Sequence, residues 1–243
     1  MIISHKYKYI FIELPMTGST AIARELMEHY DGQKILAKHA SPKDFWRIAT
    51  EEEKKYFMFS GLRNPLDEAV SRYYKYKTDH NQKFSRPLKK KKLGKFRRRL
   101  NRIRDKARYN FIINKEASFQ QYFKRYYALP YSNWSMVWHH KMDYIVRFDQ
   151  LNEDFQQVLK RLDIKSVRDL PKKNKTSGKD GSFWEYYKGD AMQRRAVNVF
   201  SGFMEKWDFR FPSDWKYKEA SSLSKSLFPI VHGIRKLYWK TLR

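Results

Sequence analysis

Cysteine is absent from this 243-residue sequence, and acidic residues are scarce. Without cysteine the chain has no disulfide framework, no thiolate zinc site, no iron–sulfur cluster and no cysteine nucleophile. Any catalysis therefore uses oxygen or nitrogen groups. Only 26 Asp and Glu oppose 52 Lys and Arg, and the resulting formal charge of +26 favours an anionic partner.

Long apolar runs are missing as well. No stretch approaches the roughly 18 to 20 residues that span a bilayer. The first strand-like residues, Tyr9 to Ile12, lie close to Met1, so we expect no signal peptide. Together with the missing cysteines, this pattern favours the cytoplasm, with peripheral attachment to an anionic membrane face as a further expectation.

Short apolar runs alternate with helical patterns along the chain. Strand-like residues 8–14, 56–59 and 144–146 are each followed by a turn and then by apolar residues at helical spacing. This alternation predicts an α/β fold in three layers, a parallel sheet flanked by helices on both faces. Because domains usually have about 100 to 200 residues, we expect a single domain over residues 1–243.

Half of the net charge is concentrated in residues 83–108, where 14 Lys and Arg accompany one acid. Apolar residues recur there at helical spacing and predict an amphipathic helix that docks one apolar stripe: Leu93, Phe96, Leu100, Ile103 and Ala107. A docked helix with outward arginines suits a polyanion, although a charge run is also typical of a solvated face. No zinc finger, RNP signature or leucine-zipper array is present, so a specific nucleic-acid partner is not expected.

A second basic segment covers residues 223–243. Its apolar residues recur at helical spacing among Arg235, Lys236, Lys240 and Arg243. Two interpretations are open, a terminal helix docked on the core and a helix that lies on a membrane surface. The docked helix is the simpler interpretation.

A turn rich in glycine and hydroxyl groups follows the first strand, with the sequence Pro15-Met16-Thr17-Gly18-Ser19-Thr20. Such a turn at the start of a helix gathers backbone N–H groups around one point, which suits a phosphate. It is too short for a P-loop and lacks the P-loop lysine, and the chain has no G-x-G-x-x-G fingerprint. A kinase, NTPase or dinucleotide enzyme is therefore disfavoured, whereas an ordinary capped turn remains open.

A second anion-binding pattern follows the second strand. Arg63 stands at the carboxyl end of that strand, Asn64-Pro65 starts a helix, and Ser71 lies two turns into it. We expect Arg63 and Ser71 to converge on one phosphate. Two anion sites on adjacent strand ends suit a doubly phosphorylated nucleotide.

In order and spacing, these two motifs resemble those of the sulfotransferases that use 3′-phosphoadenosine 5′-phosphosulfate. The turn looks like the family's 5′-phosphosulfate loop, and Arg63 with Ser71 looks like its 3′-phosphate motif. Residues 143–155 and 203–207 are similar to later parts of the family. The resemblance implies a P-loop-NTPase-like sulfotransferase fold and metal-free transfer of a sulfuryl group to a hydroxyl. The nucleotide-binding residues that it implies are Pro15, Met16, Thr17, Gly18, Ser19, Thr20, Arg63, Ser71, Lys175, Ser177 and Lys179.

Among subfamilies, the sequence looks most like the glycan O-sulfotransferases, especially the uronyl 2-O-type enzymes. Residues 38–45 match the segment in which those enzymes carry a histidine base, which implies His39 as the catalytic base. The implied acceptor is a glycan-like and anionic molecule. The implied acceptor-binding residues are Arg86, Lys89, Lys90, Arg97, Arg98, Arg99 and Arg102.

The loop departs from the family at Met16, where relatives place a Lys or Arg against the transferring sulfuryl group. Two hypotheses therefore stand: an active sulfotransferase, and a weak or inactive relative that binds a polysaccharide or nucleic acid. His39 has two interpretations of its own, because it could instead cap the following helix.

Overall fold

The computed structural model describes residues 1–86, 96–171, 178, 179 and 181–241, except for the side chains of residues 96–98. The chain divides into two compact units. The sheet unit comprises Met1–Asn64, Ser132–Asn174 and His232–Arg243, and the helical unit comprises Pro65–Tyr131 and Lys175–Val231. A single domain over residues 1–243 stays a prediction.

The elements alternate along the chain as the apolar patterns predict. The described strands are β1 (Ile2–Ser4), β2 (Tyr9–Ile12), β3 (Gln33–Lys34), β4 (Phe57–Leu62) and β5 (Tyr144–Arg147). The described helices are α1 (Ser19–His29), α2 (Pro42–Trp46), α3 (Pro65–Lys77), α4 (Phe96–Asn114), α5 (Phe119–Tyr126), α6 (Trp134–Trp138), α7 (Leu151–Arg161), α8 (Asp190–Lys206) and α9 (Ser222–Thr241). The chain is therefore an α/β protein.

Within the described residues, the sheet has five strands in the order β3-β1-β2-β4-β5. The three strands expected from the sequence, β2, β4 and β5, are mutually parallel, with Phe11 opposite Phe59 and Phe59 opposite Tyr144. The prediction of a wholly parallel sheet is wrong, because β1 pairs antiparallel with both β2 and β3. A short turn joins β1 to β2, and such a turn permits only an antiparallel pair.

Both faces of the sheet are covered by helices, which makes the sheet unit three layers. Alternate residues of β2 point to opposite faces: Tyr9 and Phe11 pack in one apolar cluster, and Ile10 and Ile12 pack in the other. Helices α1 and α7 contribute to the first cluster, and α2 and α6 contribute to the second. Burial on both faces explains the unbroken apolar run of β2.

Aromatic side chains form the interior of the helical unit. Ser118 caps α5 through a capping box with Gln121. Phe123 of α5 stacks on Phe119 at 5.7 Å between ring centroids and packs against Phe200 of α8 at 5.8 Å. These contacts join α5 to α8.

Helix α4 confirms the predicted basic helix, but the predicted docking of its apolar stripe is wrong. Leu100 and Ile103 are 49% and 48% exposed. The helix docks instead through Asp105, which accepts a hydrogen bond from the Tyr76 hydroxyl at 2.8 Å, and through the buried Ile112. The physical reason is that the hydroxyl of Tyr76 is buried and needs a hydrogen-bond acceptor. The side of α4 that carries Asp105 therefore faces Tyr76. Leu93 lies outside the described residues.

The predicted C-terminal helix is also present, as α9. Among the described residues, no helix has both the length and the apolar character needed to cross a bilayer. The docked interpretation holds for one face only, because Trp239 packs against the core of the sheet unit whereas Ile234 and Leu237 are exposed.

We predict that Phe11→Ala destabilises the fold strongly. Phe11 is fully buried and its ring lies 5.0 Å from that of Phe59, so the substitution leaves a cavity between β2 and β4. The expected loss of unfolding free energy is about 3 to 5 kcal/mol in urea denaturation. Ile48→Ala is the matched control, since Ile48 is exposed and should cost less than about 0.5 kcal/mol. Similar losses in both variants would contradict the described core.

Candidate functional site

The turn at residues 15–20 lies against the carboxyl end of β4. Strands β2 and β4 are parallel neighbours, so the segments that follow them meet at one edge of the sheet. A Cβ atom added to Gly61 would lie only 2.6 Å from Oγ1 of Thr17. Glycine at this position therefore allows the turn to rest directly on the strand.

Internal hydrogen bonds fix the shape of the turn. The hydroxyls of Thr17 and Ser19 both donate to the carbonyl oxygen of Leu14, at 3.1 and 2.6 Å, and both side chains are buried. Met16 and Gly18 adopt left-handed backbone angles, with φ of 71° and 74°. Gly18 is the N-cap of α1 and has no side chain to cap the first N–H groups of that helix.

Arg63 supports the turn from the end of β4. Its Nη1 donates to the carbonyl oxygen of Met16 at 2.9 Å, and its guanidinium lies 4.0 Å from the centroid of the Phe148 ring. The side chain is largely buried. The sequence pattern predicts a phosphate contact for Arg63 and gives no sign of its contact with Phe148, which also borders Gly18. The arginine thus carries a positive charge beside the turn and holds its backbone.

His39 lies beside the turn as well. Its Nδ1 is 2.9 Å from the carbonyl oxygen of Glu13, the residue that follows β2. A carbonyl oxygen only accepts hydrogen bonds, so Nδ1 carries the proton and the lone pair of the neutral imidazole is on Nε2. Ser41, not His39, caps α2 through a capping box with Asp44. The capping interpretation of His39 is therefore wrong.

Lys38 brings a cation to the turn, a contact that the sequence pattern does not predict. Its Nζ donates to Oγ1 of Thr20 at 2.8 Å and lies 3.9 Å from Oε1 of Glu13. Thr20 is exposed, unlike the two inward hydroxyls of the turn. The only sequence signal for Lys38 is its place next to His39, because nothing in the chain distinguishes it from the other lysines.

The other predicted nucleotide-binding residues belong to the helical unit. Ser71 is fully buried within α3, and Lys179 forms an ion pair with Asp67. A phosphate that engages Lys179 must therefore exchange with this carboxylate. Lys175 and Ser177 lie outside the described residues. The 3′-phosphate assignment of Ser71 and Lys179 stays a prediction.

The predicted acceptor residues are described only in part. Arg86 donates to the side chain of Gln82 at 2.9 Å, and Arg102 donates to the carbonyl oxygen of Lys83 at 2.9 Å. Arg99 is exposed on α4. Lys89 and Lys90, and the side chains of Arg97 and Arg98, lie outside the described part of the chain. Their assignment to an acceptor stays a prediction.

Two further groups of titratable side chains lie in the sheet unit. Potential ligand atoms of Glu25, Glu28 and His29 lie within 4.8 Å of one another, but Arg168 donates to both carboxylates at 2.9 and 3.2 Å. This group is therefore an ion-pair cluster.

Complete burial lowers the pKa of His139 to about 3, which keeps its imidazole neutral at physiological pH.

The chain matches no known protein-family model, no curated protein and no solved structure. A function can therefore be proposed only from the chemistry of the turn and its neighbours. A helix N-terminus, a lysine and an arginine beside it favour a bound anion, and a histidine with its lone pair on Nε2 can accept a proton. These groups together suit the transfer of an anionic group to a hydroxyl.

We predict that Gly61→Ala disturbs the turn. The new methyl group would meet Oγ1, Cβ and the carbonyl oxygen of Thr17 at 2.6 to 3.0 Å, so the turn must shift away from β4. Amide hydrogen exchange of Ala21 and Ile22, whose N–H groups donate to the carbonyl oxygen of Gly18, should become at least about tenfold faster, because the turn opens more readily. Gly233→Ala is the matched control, since its Cβ meets open space on α9. Unchanged exchange in the Gly61 variant would contradict the close approach of the turn to β4.

Proposed function

We propose that this chain is a sulfotransferase, which transfers a sulfuryl group from 3′-phosphoadenosine 5′-phosphosulfate to a hydroxyl of an anionic, glycan-like acceptor. The observation that carries the proposal is the position of Lys38 and His39 beside a turn that suits an anion. Lys38 contacts Thr20 of that turn, and His39 is oriented by the carbonyl of Glu13. A cation and an oriented base beside one helix N-terminus are what this reaction needs.

The groups around the turn divide the work of binding the 5′-phosphosulfate. The hydroxyls of Thr17 and Ser19 donate to the carbonyl oxygen of Leu14. They therefore shape the turn and do not donate to the ligand in this conformation. The first N–H groups of α1, the Thr20 hydroxyl and the Lys38 ammonium are the donors that suit the anion. Arg63 adds positive charge and holds the Met16 carbonyl.

His39 acts as the general base in this proposal. As the acceptor oxygen bonds to sulfur, the bond between sulfur and the 5′-phosphate oxygen breaks, and Nε2 of His39 takes the hydroxyl proton. Nδ1 keeps its proton and its hydrogen bond to the Glu13 carbonyl, which stabilises the imidazolium that forms. Lys38 offsets the negative charge that develops on the departing phosphate oxygen. Adenosine 3′,5′-bisphosphate leaves as the second product.

The arrangement of the sheet unit supports this proposal at the level of the fold. The turn follows the first of three parallel strands, Arg63 follows the next strand in the sheet, and α1 starts at the turn. A turn and an arginine at the ends of two neighbouring parallel strands are what the resemblance to the sulfotransferases leads us to expect. We assign the sheet unit to that fold as part of the same proposal.

A second candidate function is polyanion binding without catalysis. It is favoured by Met16, which leaves the turn without its own cation, and by the exposed Arg99 on α4. An acidic polysaccharide or a nucleic acid would be the partner of such a protein. The two candidates differ in one respect, because only the enzyme depends on His39 for product formation.

We predict that His39→Ala abolishes sulfuryl transfer. Loss of the base should lower the rate by about 100- to 10,000-fold, measured as transfer of ³⁵S from the labelled nucleotide to an unsulfated uronic-acid polysaccharide. The affinity for adenosine 3′,5′-bisphosphate should stay unchanged in calorimetry, because the base acts on the acceptor. His5→Ala is the control, since His5 contacts Tyr56 and lies outside the proposed machinery. Near-normal turnover in His39→Ala would remove its catalytic role.

We predict that Lys38 supplies the charge that Met16 lacks. Lys38→Ala should lower transfer by about 100- to 1,000-fold, the usual cost of removing a group that stabilises a developing oxyanion. Adding Met16→Lys to that variant should recover much of the loss, because the cation returns to the turn. Lys34→Ala on β3 is the matched control and should be neutral. A Lys38 variant with full activity, or a double variant without recovery, would contradict this role.

A further inference from the structure

Helix α9 exposes a long aliphatic stripe. The helix has 20 residues and is about 30 Å long. The aliphatic side chains of this stripe are 59 to 70% exposed: Leu223, Ile230, Ile234 and Leu237. Their spacing of seven, four and three residues places them on one face of the helix. A surface helix normally turns this face inward.

The opposite face of α9 is attached through polar groups. In the helical unit, Ser224 donates to the carbonyl oxygen of Asn198. In the sheet unit, Arg235 donates to the carbonyl oxygen of Ser132 at 3.0 Å, and His232 lies at hydrogen-bond distance from the hydroxyl of the same serine. These bonds fix which side of the helix faces the protein. The aliphatic stripe is therefore held toward solvent by the contacts of the polar side.

Charge identifies the partner that fits this stripe. Residues 220–243 contain five Lys and Arg and no acidic residue, and both Lys236 and Lys240 are exposed on α9. A second copy of the chain, with a formal charge of +26, would be repelled. A nucleic acid would pair with the lysines but would leave the aliphatic side chains in water. An anionic lipid surface accommodates both, with hydrocarbon for the stripe and headgroups for the cations.

We propose that α9 binds to the surface of an anionic membrane. Ile230, Ile234 and Leu237 enter the boundary between headgroups and acyl chains, about 5 to 10 Å deep, as in other interfacial helices. Lys236 and Lys240 extend along the helix to the phosphate level. Membrane attachment in this manner does not depend on sulfuryl transfer, so it can be tested independently of the proposed enzymatic function.

Vesicle co-sedimentation tests this proposal. The wild-type chain should bind vesicles of phosphatidylcholine with about 30% phosphatidylglycerol at least about tenfold more tightly than vesicles of phosphatidylcholine alone. The double variant Ile234→Glu, Leu237→Glu should lose about tenfold or more of that binding, because two charges replace the inserted side chains. The double variant Ile48→Glu, Val167→Glu is the control: both residues are 61% exposed, neither is on α9, and the net charge change is the same.

Three results would overturn the proposal. Equal loss of binding in the two double variants would show that net charge alone attracts the vesicles. Equal binding by the wild type and the α9 variant would place the lipid contact elsewhere. If the α9 variant lost affinity for a 20-nucleotide RNA while its vesicle binding stayed unchanged, the stripe would be a nucleic-acid contact. Thermal unfolding checks that each variant is folded, and Ile234→Ser with Leu237→Ser is a milder pair that should also weaken binding to anionic vesicles.

Discussion

The close approach of Thr17 to Gly61 is the constraint on which the candidate site depends. It requires β2 and β4 to be parallel neighbours, so that the segments following both strands meet at one edge of the sheet. The buried core on both sheet faces keeps these strands in register. With the turn seated on β4, Arg63 reaches the Met16 carbonyl, and α1 starts with its N–H groups at the same edge. Rigid strands thus fix the position of the turn at which we propose that an anion binds.

The electrostatics of the site follow from where its cations are held. The turn itself contributes no charge, because Met16 stands where a cation would be expected. Positive charge comes instead from Arg63 at the end of β4 and from Lys38, which hydrogen bonds to Thr20. The Glu13 residue connects these parts: its carbonyl orients His39, and its carboxylate lies 3.9 Å from the Lys38 ammonium. Lys38 and His39 are adjacent in the chain, so one short segment supplies both the positive charge and the proposed base.

Sequence patterns predicted the elements that depend on local periodicity. They failed where contacts between residues distant in sequence determine the structure. The three parallel strands and α1, α3 and α7 follow from apolar spacing. The antiparallel strand β1 was missed because its three residues are too few to show a pattern. The docked side of α4 was mispredicted because the buried Tyr76 hydroxyl selects Asp105, a contact between residues 29 positions apart. Lys38 was missed for the same reason, since its partner Thr20 is distant in sequence.

Calorimetric titration with adenosine 3′,5′-bisphosphate tests the central claim, a nucleotide site built on this turn, most directly. We expect binding at least about tenfold tighter than that of adenosine 5′-phosphate, because one further charge-assisted phosphate contact contributes about 1.5 to 3 kcal/mol. We also expect Arg63→Ala to weaken binding of the bisphosphate, since the variant loses both the charge and the support of the Met16 carbonyl. Equal affinities for the two nucleotides, or no binding of either, would contradict the account.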